Sequence, residues 1–192
     1  MVGGRSISEA GWYGPARRVA SANADGRPTN AVVELIVIHN ISLPPGRFGG
    51  DSVERLFTNR LDPESHPYFA DIASMRVSAH FLVSRTGALT QFVRTTCRAW
   101  HAGASEWRGR TRCNDYSVGI ELEGTDDQAF TGKQYLRLGA LARALVRRHP
   151  SIVGVAGHCE IAPGRKTDPG PAFDWRRFMV QSGLPQGFRN LT

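Results

Sequence analysis

Val32-Val33-Glu34-Leu35-Ile36-Val37-Ile38-His39 is a nearly unbroken β-branched and aliphatic run that ends on a histidine. A strand with one wet face alternates apolar and polar residues, whereas a run like this belongs in the middle of a sheet covered on both sides. It predicts an α/β fold: a single domain with a central mixed β-sheet flanked by helices. It also puts His39 at the sheet rim, where α/β folds hold their ligands.

On the N-terminal side of this run, residues 1–30 carry Gly3-Gly4, Gly14-Pro15, Asn23 to Gly26 and Pro28, too much punctuation for a long regular element. An extended arm is expected there, packed down at Trp12 and Tyr13. On the C-terminal side, a Pro- and Gly-rich loop from Leu43 to Gly50 leads to a helix over Asp51 to Arg60, with Asp51 or Ser52 as its N-cap. Residues 62–75, with His66-Pro67-Tyr68-Phe69, read as an irregular cleft wall. Val77–Ser84 and Ala88–Val93 form a hairpin around Arg85-Thr86-Gly87, where the glycine takes the positive φ. The long furnished loop Arg98–Tyr116 precedes a strand, Ser117 to Gly124, whose Gly119, Glu121 and Glu123 share one face. Thr131-Gly132-Lys133-Gln134 has the spacing of a capping box and opens a helix to about His149. A short strand over Ile152–Ala156 delivers His158, and Ala172–Val180 reads as the last helix. The working domain is thus 31–180, with an arm before it and a tail at 181–192.

The 192 residues suffice to bury roughly 70% of the unfolded surface in one core. Lys and Arg number 24 against 17 Asp and Glu, a formal net charge of +7. Such an excess suits nucleic acid, anionic lipid or a small acidic substrate. The arginines are scattered and not interleaved with aromatics, which disfavours nucleic acid. No apolar run approaches the roughly 20 residues of a membrane helix, so no membrane partner is expected. Cys97, Cys113 and Cys159 are an odd number with no apolar leader ahead of them, pointing to a reducing cytoplasm, and a soluble monomer is expected.

Chemistry concentrates in Gly157-His158-Cys159-Glu160-Ile161-Ala162-Pro163-Gly164-Arg165-Lys166-Thr167-Asp168-Pro169-Gly170. An imidazole, an ammonium and a carboxylate share a backbone stiffened by prolines and turned by glycines. Of the six histidines, His149 reads as a charge at a helix C-terminus, His66 as an exposed loop residue and His80 as a hydrogen-bonded strand residue. His39 and His158 stand at the ends of apolar strands. Catalytic zinc takes three protein ligands and keeps its fourth position for water, and His39, His158 and Asp168 supply such a set. Cys159 is the competing thiolate, disfavoured because adjacent strand residues point to opposite faces. A closed structural site would want four side-chain ligands, and the cysteines are not paired. Hydrolysis at such a centre needs a base, for which Glu121 is the candidate and Glu123 the alternate, and a cation for the oxyanion, which Lys166 offers. A plain strand carboxylate and a plain loop cation are the competing readings of Glu121 and Lys166.

Longer segments add to these residues: Ile38-His39-Asn40-Ile41-Ser42-Leu43-Pro44-Pro45-Gly46, Arg76-Val77-Ser78-Ala79-His80, Arg98-Ala99-Trp100-His101-Ala102-Gly103, Arg112 through Asp126, and Gly157-His158 through Asp174-Trp175. With them, the chain resembles the cytoplasmic N-acetylmuramoyl-L-alanine amidases of the AmpD type, which cleave 1,6-anhydro-muropeptides during cell-wall recycling. The resemblance implies zinc on His39, His158 and Asp168, and catalytic work for Glu121 and Lys166. It further implies substrate contacts from Asn40, Arg76, Trp100 and Arg112. Related phage amidases use a cysteine as third ligand where this chain has Asp168. Arginines gripping the stem carboxylates of an anhydro-muropeptide account for part of the positive charge. Two alternatives stand beside this one: a peptidoglycan-binding module without catalysis, and an amidase acting on intact wall.

Overall fold

The computed structural model describes residues 6–189, and expectations for residues 1–5 and 190–192 lie outside the described residues. In chain order the strands are β1 (Arg17–Arg18), β2 (Ala24–Gly26), β3 (Leu35–Ile41), β4 (Phe81–Val83), β5 (Leu89–Gln91), β6 (Cys97–Ala99), β7 (Glu106–Trp107), β8 (Arg110–Thr111), β9 (Ser117–Glu123) and β10 (Gly154–Gly157). The helices are α1 (Ser52–Phe57), α2 (Pro67–Ile72), α3 (Gly132–Arg148), α4 (His158–Ile161) and α5 (Trp175–Ser182). Six strands form one mixed sheet in the order β1-β5-β4-β9-β3-β10, in which only the β5–β4 pair is antiparallel.

The aliphatic run lies inside this sheet as expected, with β9 on one side and β10 on the other. Leu35 to Ile38 are fully buried. Their side chains alternate between two cores. Ile36 and Ile38, with Val118, Ile120 and Leu122 of β9, pack beneath α3 and α5. Leu35 and Val37 face the opposite way, against Trp107, Tyr116 and Ile161. A further cluster of Leu43, Val53, Leu56, Phe57 and Phe69 holds α1, α2 and their loops together. Three layers result: two helices, the sheet, and a cover of short elements and loops.

Several boundaries differ from expectation. β3 runs on to Ile41 because its ladder with β9 continues to Ile41 opposite Glu123, so His39 lies within the strand and not at its end. Residues 62–75 are not irregular: His66 caps α2 by accepting the Tyr68 N–H at Nδ1, and Pro67 fills the first helical position, where its missing N–H costs nothing. Asp51 precedes α1 but makes no capping bond, its carboxylate pairing with Arg55 instead. His158 opens α4, so the alternation used against Cys159 does not apply to it. His149 ends α3, yet burial, with Arg148 and Arg27 nearby, lowers its pKa to about 4. It is therefore a neutral ring bonded to Thr95 Oγ1 at 2.9 Å, not a charge on the helix end.

Other expectations hold. The hairpin turns at Gly87, φ +80°. Thr131 and Gln134 exchange both capping-box bonds, and Gln134 Nε2 also donates to the Glu123 carbonyl at 2.9 Å, tying the start of α3 to the end of β9. Tyr13 is fully buried, and of the segment that follows it β1 joins the sheet beside β5 while β2 pairs with β6 in a separate two-stranded sheet. Near the other end, Arg189 pairs bidentately with Glu160, stacks 3.5 Å over the Trp175 ring and donates to the Val155 carbonyl. Glu160 in turn accepts the Gly157 N–H, so the tail braces the turn that presents His158. Among the described residues no helix is long and apolar enough to cross a membrane.

Gly139 shows how tightly α3 and α5 meet. A Cβ there would lie 2.6 Å from the Gln181 carbonyl oxygen and 2.8 Å from its carbon. Helix propensity favours Ala over Gly by about 1 kcal/mol, but overpacking against backbone costs about 1–3 kcal/mol. Gly139→Ala is therefore expected to lower the melting temperature by a few degrees in calorimetry. A rise would mean that α5 yields freely.

Candidate functional site

β3 and β9 are parallel and in register, with His39 directly opposite Glu121, so both side chains leave the same face of the sheet. This is the loop-covered face. β10 runs parallel on the other side of β3 and hands the chain to α4 at His158. The loop after α4 then returns, and the Cys159 N–H donates to the Asp168 carbonyl at 2.8 Å, which sets Asp168 beside His158.

Three donor atoms converge there. His39 Nδ1 lies 3.0 Å from His158 Nδ1 and 3.0 Å from Asp168 Oδ2, and His158 Nδ1 lies 3.1 Å from the same oxygen. Donors about 2.0–2.1 Å from one tetrahedral ion stand roughly 3.3 Å apart, so this triangle is close to the separation an ion would impose. The chemistry of the donors agrees. Burial is the main cause that pushes His39 down to about 4, leaving its ring neutral with a lone pair to give. Burial alone would raise the Asp168 carboxyl, but the His158 and His39 rings against it outweigh that and hold the acid well below the ordinary range. Two imidazoles and a carboxylate are thus a set that a divalent metal fits.

Cys159 is not part of this group. Burial, together with Glu160 and Asp168, raises its thiol pKa, so it stays protonated. It is one of three free cysteines.

Glu121 is 8% exposed, and its Oε2 is buried without a hydrogen-bond partner. Burial first, then the Asp168 charge, raises its pKa well above the ordinary value, with Lys166 opposing. Glu123 is different. Its carboxylate accepts the backbone N–H groups of Gly49 and Arg85 and serves the surrounding loops.

The triangle opens into a cleft of about 360 Å³ that is also lined by Asn40, Glu121, Trp100 and Lys166 and walled by Leu43, Pro45, Tyr68, Ile72 and Met75. Asn40 is held by its Nδ2 donating to Asp126 at 2.7 Å. Arg76 and Arg112 do not line the cleft. Both are exposed, Arg76 donating to the Ser74 carbonyl and Arg112 pairing with Asp115 at 3.1 Å.

One residue with no role in the sequence reading enters the site. His101 Nδ1 stands 2.9 Å from His39 Nε2, and the rings of His158, His39, His101 and His80 follow one another at centroid distances of 4.5, 5.0 and 5.8 Å. A glycine in the interior of β9, Gly119, is the sequence signal that marks a close approach there. His80 lies just before β4 and not inside a strand, but it is buried and hydrogen-bonded as expected, accepting the Gly119 N–H at Nδ1.

A mixed sheet with a His, His, Asp triangle beside a buried glutamate defines a hydrolase-like cleft, and the chain belongs to the N-acetylmuramoyl-L-alanine amidase family, whose model matches residues 28–171. More particularly, it is 57% identical over 175 residues to the 1,6-anhydro-N-acetylmuramyl-L-alanine amidase AmpD of Escherichia coli strain K12, covering 91% of this chain and 96% of that one. Among solved structures, the crystal structure of a selenomethionine AmpD derivative superposes with a TM-score of 0.89 at 55% identity, covering 91% of this chain and 98% of that chain. The Pseudomonas aeruginosa protein AmpDh3, solved in complex with an anhydromuramic pentapeptide, superposes with a TM-score of 0.61 at 26% identity, covering 85% and 66%.

Proposed function

We propose that this protein is a zinc-dependent cytoplasmic monomer that hydrolyses the amide between the lactyl carbonyl of 1,6-anhydro-N-acetylmuramic acid and L-alanine in muropeptides. The observation that carries the reading is the triangle of His39, His158 and Asp168 donors beside Glu121 Oε2, which is buried and has no partner of its own. The named substrates of the relatives give the substrate class, and the three free cysteines fit a reducing compartment.

His39, His158 and Asp168 would hold the metal. Zinc, when bound, polarises the scissile carbonyl and makes water a nucleophile near neutral pH. Glu121, whose raised pKa suits a base working near neutrality, takes the proton of the attacking water and passes it to the departing L-alanine nitrogen. The Lys166 ammonium donates to the oxygen of the lactyl carbonyl as charge develops on it. The products are a lactyl carboxylate and a free stem peptide. Asn40, steadied by Asp126, presents its remaining amide valences to the peptide, and Trp100 offers an apolar face to the sugar. Arg76 and Arg112, outside the cleft lining, enter as rim contacts for the stem carboxylates.

Mass spectrometry of products from anhydro-muropeptides and from intact sacculi, with and without chelator, tests this. Release of free stem peptide from the anhydro-muropeptide, lost with chelator and restored by zinc, is expected. Absence of release by zinc-loaded protein would overturn the reading. Lys166→Ala is expected to lower kcat about 10²–10³-fold with zinc content unchanged. Loss of the metal in that variant would assign Lys166 to holding the site together instead.

A further inference from the structure

We propose that His101 and Ala102 form one platform that fixes both metal-ligating imidazoles, His39 through the His101 ring and His158 through the Ala102 carbonyl. The inference rests on the metal reading above and adds positioning residues to it. His158 Nε2 lies 3.1 Å from the Ala102 carbonyl oxygen. A carbonyl only accepts, so Nε2 carries the proton and Nδ1 keeps its lone pair for the donor triangle. His39 is set by a longer chain. Its Nε2 lies 2.9 Å from His101 Nδ1, and His101 Nε2 lies 3.1 Å from Ser117 Oγ. When His39 Nε2 donates to His101 Nδ1, the His101 proton sits on Nε2 and is given to the serine hydroxyl. This arrangement leaves the His39 Nδ1 lone pair facing the triangle. The reverse arrangement would put a proton on Nδ1, in the place of the ion.

The platform is built to hold still. Asn114 Oδ1 accepts both the His101 N–H at 3.1 Å and the Ala102 N–H at 2.8 Å. The His101 ring lies against the bare backbone of Gly119, where a Cβ would fall 2.4 Å from its Cγ and 2.5 Å from its Nδ1. Arg165, on the loop that carries Asp168, donates to the Ala102 carbonyl at 2.6 Å and also to that of Ala104. Both imidazoles therefore take their orientation from residues 101–102, although they come from β3 and α4, and Arg165 ties the loop of the third ligand to the same place. Partners of this kind fix the tautomer and ring angle of metal-bound histidines, and losing them typically loosens the metal about 10–100-fold.

Zinc affinity of the full chain, read by competition with a chromophoric chelator, tests the proposal. His101→Ala is expected to bind zinc about 10–100-fold more weakly than wild type. His101→Asn, whose Oδ1 stands where the imidazole Nδ1 stands, is expected to recover most of that loss. Asn114→Ala, which touches neither ligand, is expected to weaken binding in the same direction while Asn114→Asp, which keeps the acceptor, does not. Affinities of His101→Ala and Asn114→Ala within twofold of wild type would overturn the platform. So would a loss in His101→Asn as large as in His101→Ala. If wild type itself binds no zinc, or His39→Ala binds it as tightly as wild type, the metal reading is what fails.

Discussion

Glu121→Gln is expected to lower kcat by roughly 10²–10⁴-fold, the span that a positioned general base contributes, while the protein keeps its zinc. The same substitution should make the metal-free protein more stable at neutral pH. Burial and the neighbouring Asp168 raise the folded pKa of Glu121 well above 4.5. The stability that the protonated group contributes is fully present below that value and is lost as pH rises through the folded pKa. At neutral pH that contribution is therefore diminished, whereas glutamine, which cannot ionise, keeps it. A gain of about 1 kcal/mol corresponds to about 2–4 °C in a domain of this size. Calorimetry of the metal-free proteins should show the gain at neutral pH and its disappearance in acid. A variant that is inactive but no more stable at neutral pH would show that Glu121 is solvated and ionises as easily in the folded protein as in the unfolded chain.

His39→Ala is expected to remove zinc and activity together. The readout is the stabilisation by zinc, measured as the difference in Tm between loaded and stripped protein, so that any cost of the truncation to the bare fold cancels. Zinc at about 1,000 times its dissociation constant stabilises wild type by about 4 kcal/mol, or about 8–16 °C. In His39→Ala the difference should fall to near zero. A retained zinc-dependent rise would mean that the metal is held elsewhere. Acid should weaken the metal-free wild-type protein in a predictable direction. Burial holds His39 at about 4 against an ordinary 6.5, so the stability of its neutral form is present above 6.5 and lost as pH falls through about 4. Asp168, held low by His158 and His39, loses stability in the same direction at lower pH. His39→Ala should lack the His39 part of this acid lability.

Local signals were legible where the interactions are local. The capping box at Thr131 and Gln134 spans three residues, and the turn at Gly87 needs only a positive φ, so both read directly from the chain. α2 was hidden because a histidine seldom caps a helix, and the proline behind it looked like a break when it was a start. His158 looked like the end of a strand because the apolar run before it is a strand, while the turn into α4 is fixed by Glu160 and the distant Arg189. The alternation that disfavours Cys159 belongs to strands, and Cys159 lies in α4. Its burial and neighbouring carboxylates are what keep it a thiol.

The residue types decide part of this protein before it folds. A continuous aliphatic run can only be satisfied inside a covered sheet, and two histidines with an aspartate, a glutamate and a lysine limit the chemistry to a few kinds. Folding decides the rest. His39 and His158 are 119 residues apart in the chain, and their meeting depends on the β3–β9 and β3–β10 registers, in which a slip of one residue would turn His39 to the opposite face. The pairing of His39 with Glu121, the raised pKa of that glutamate and the bond from His101 all follow from that register. They arise from long-range packing and burial, which no short window of sequence contains.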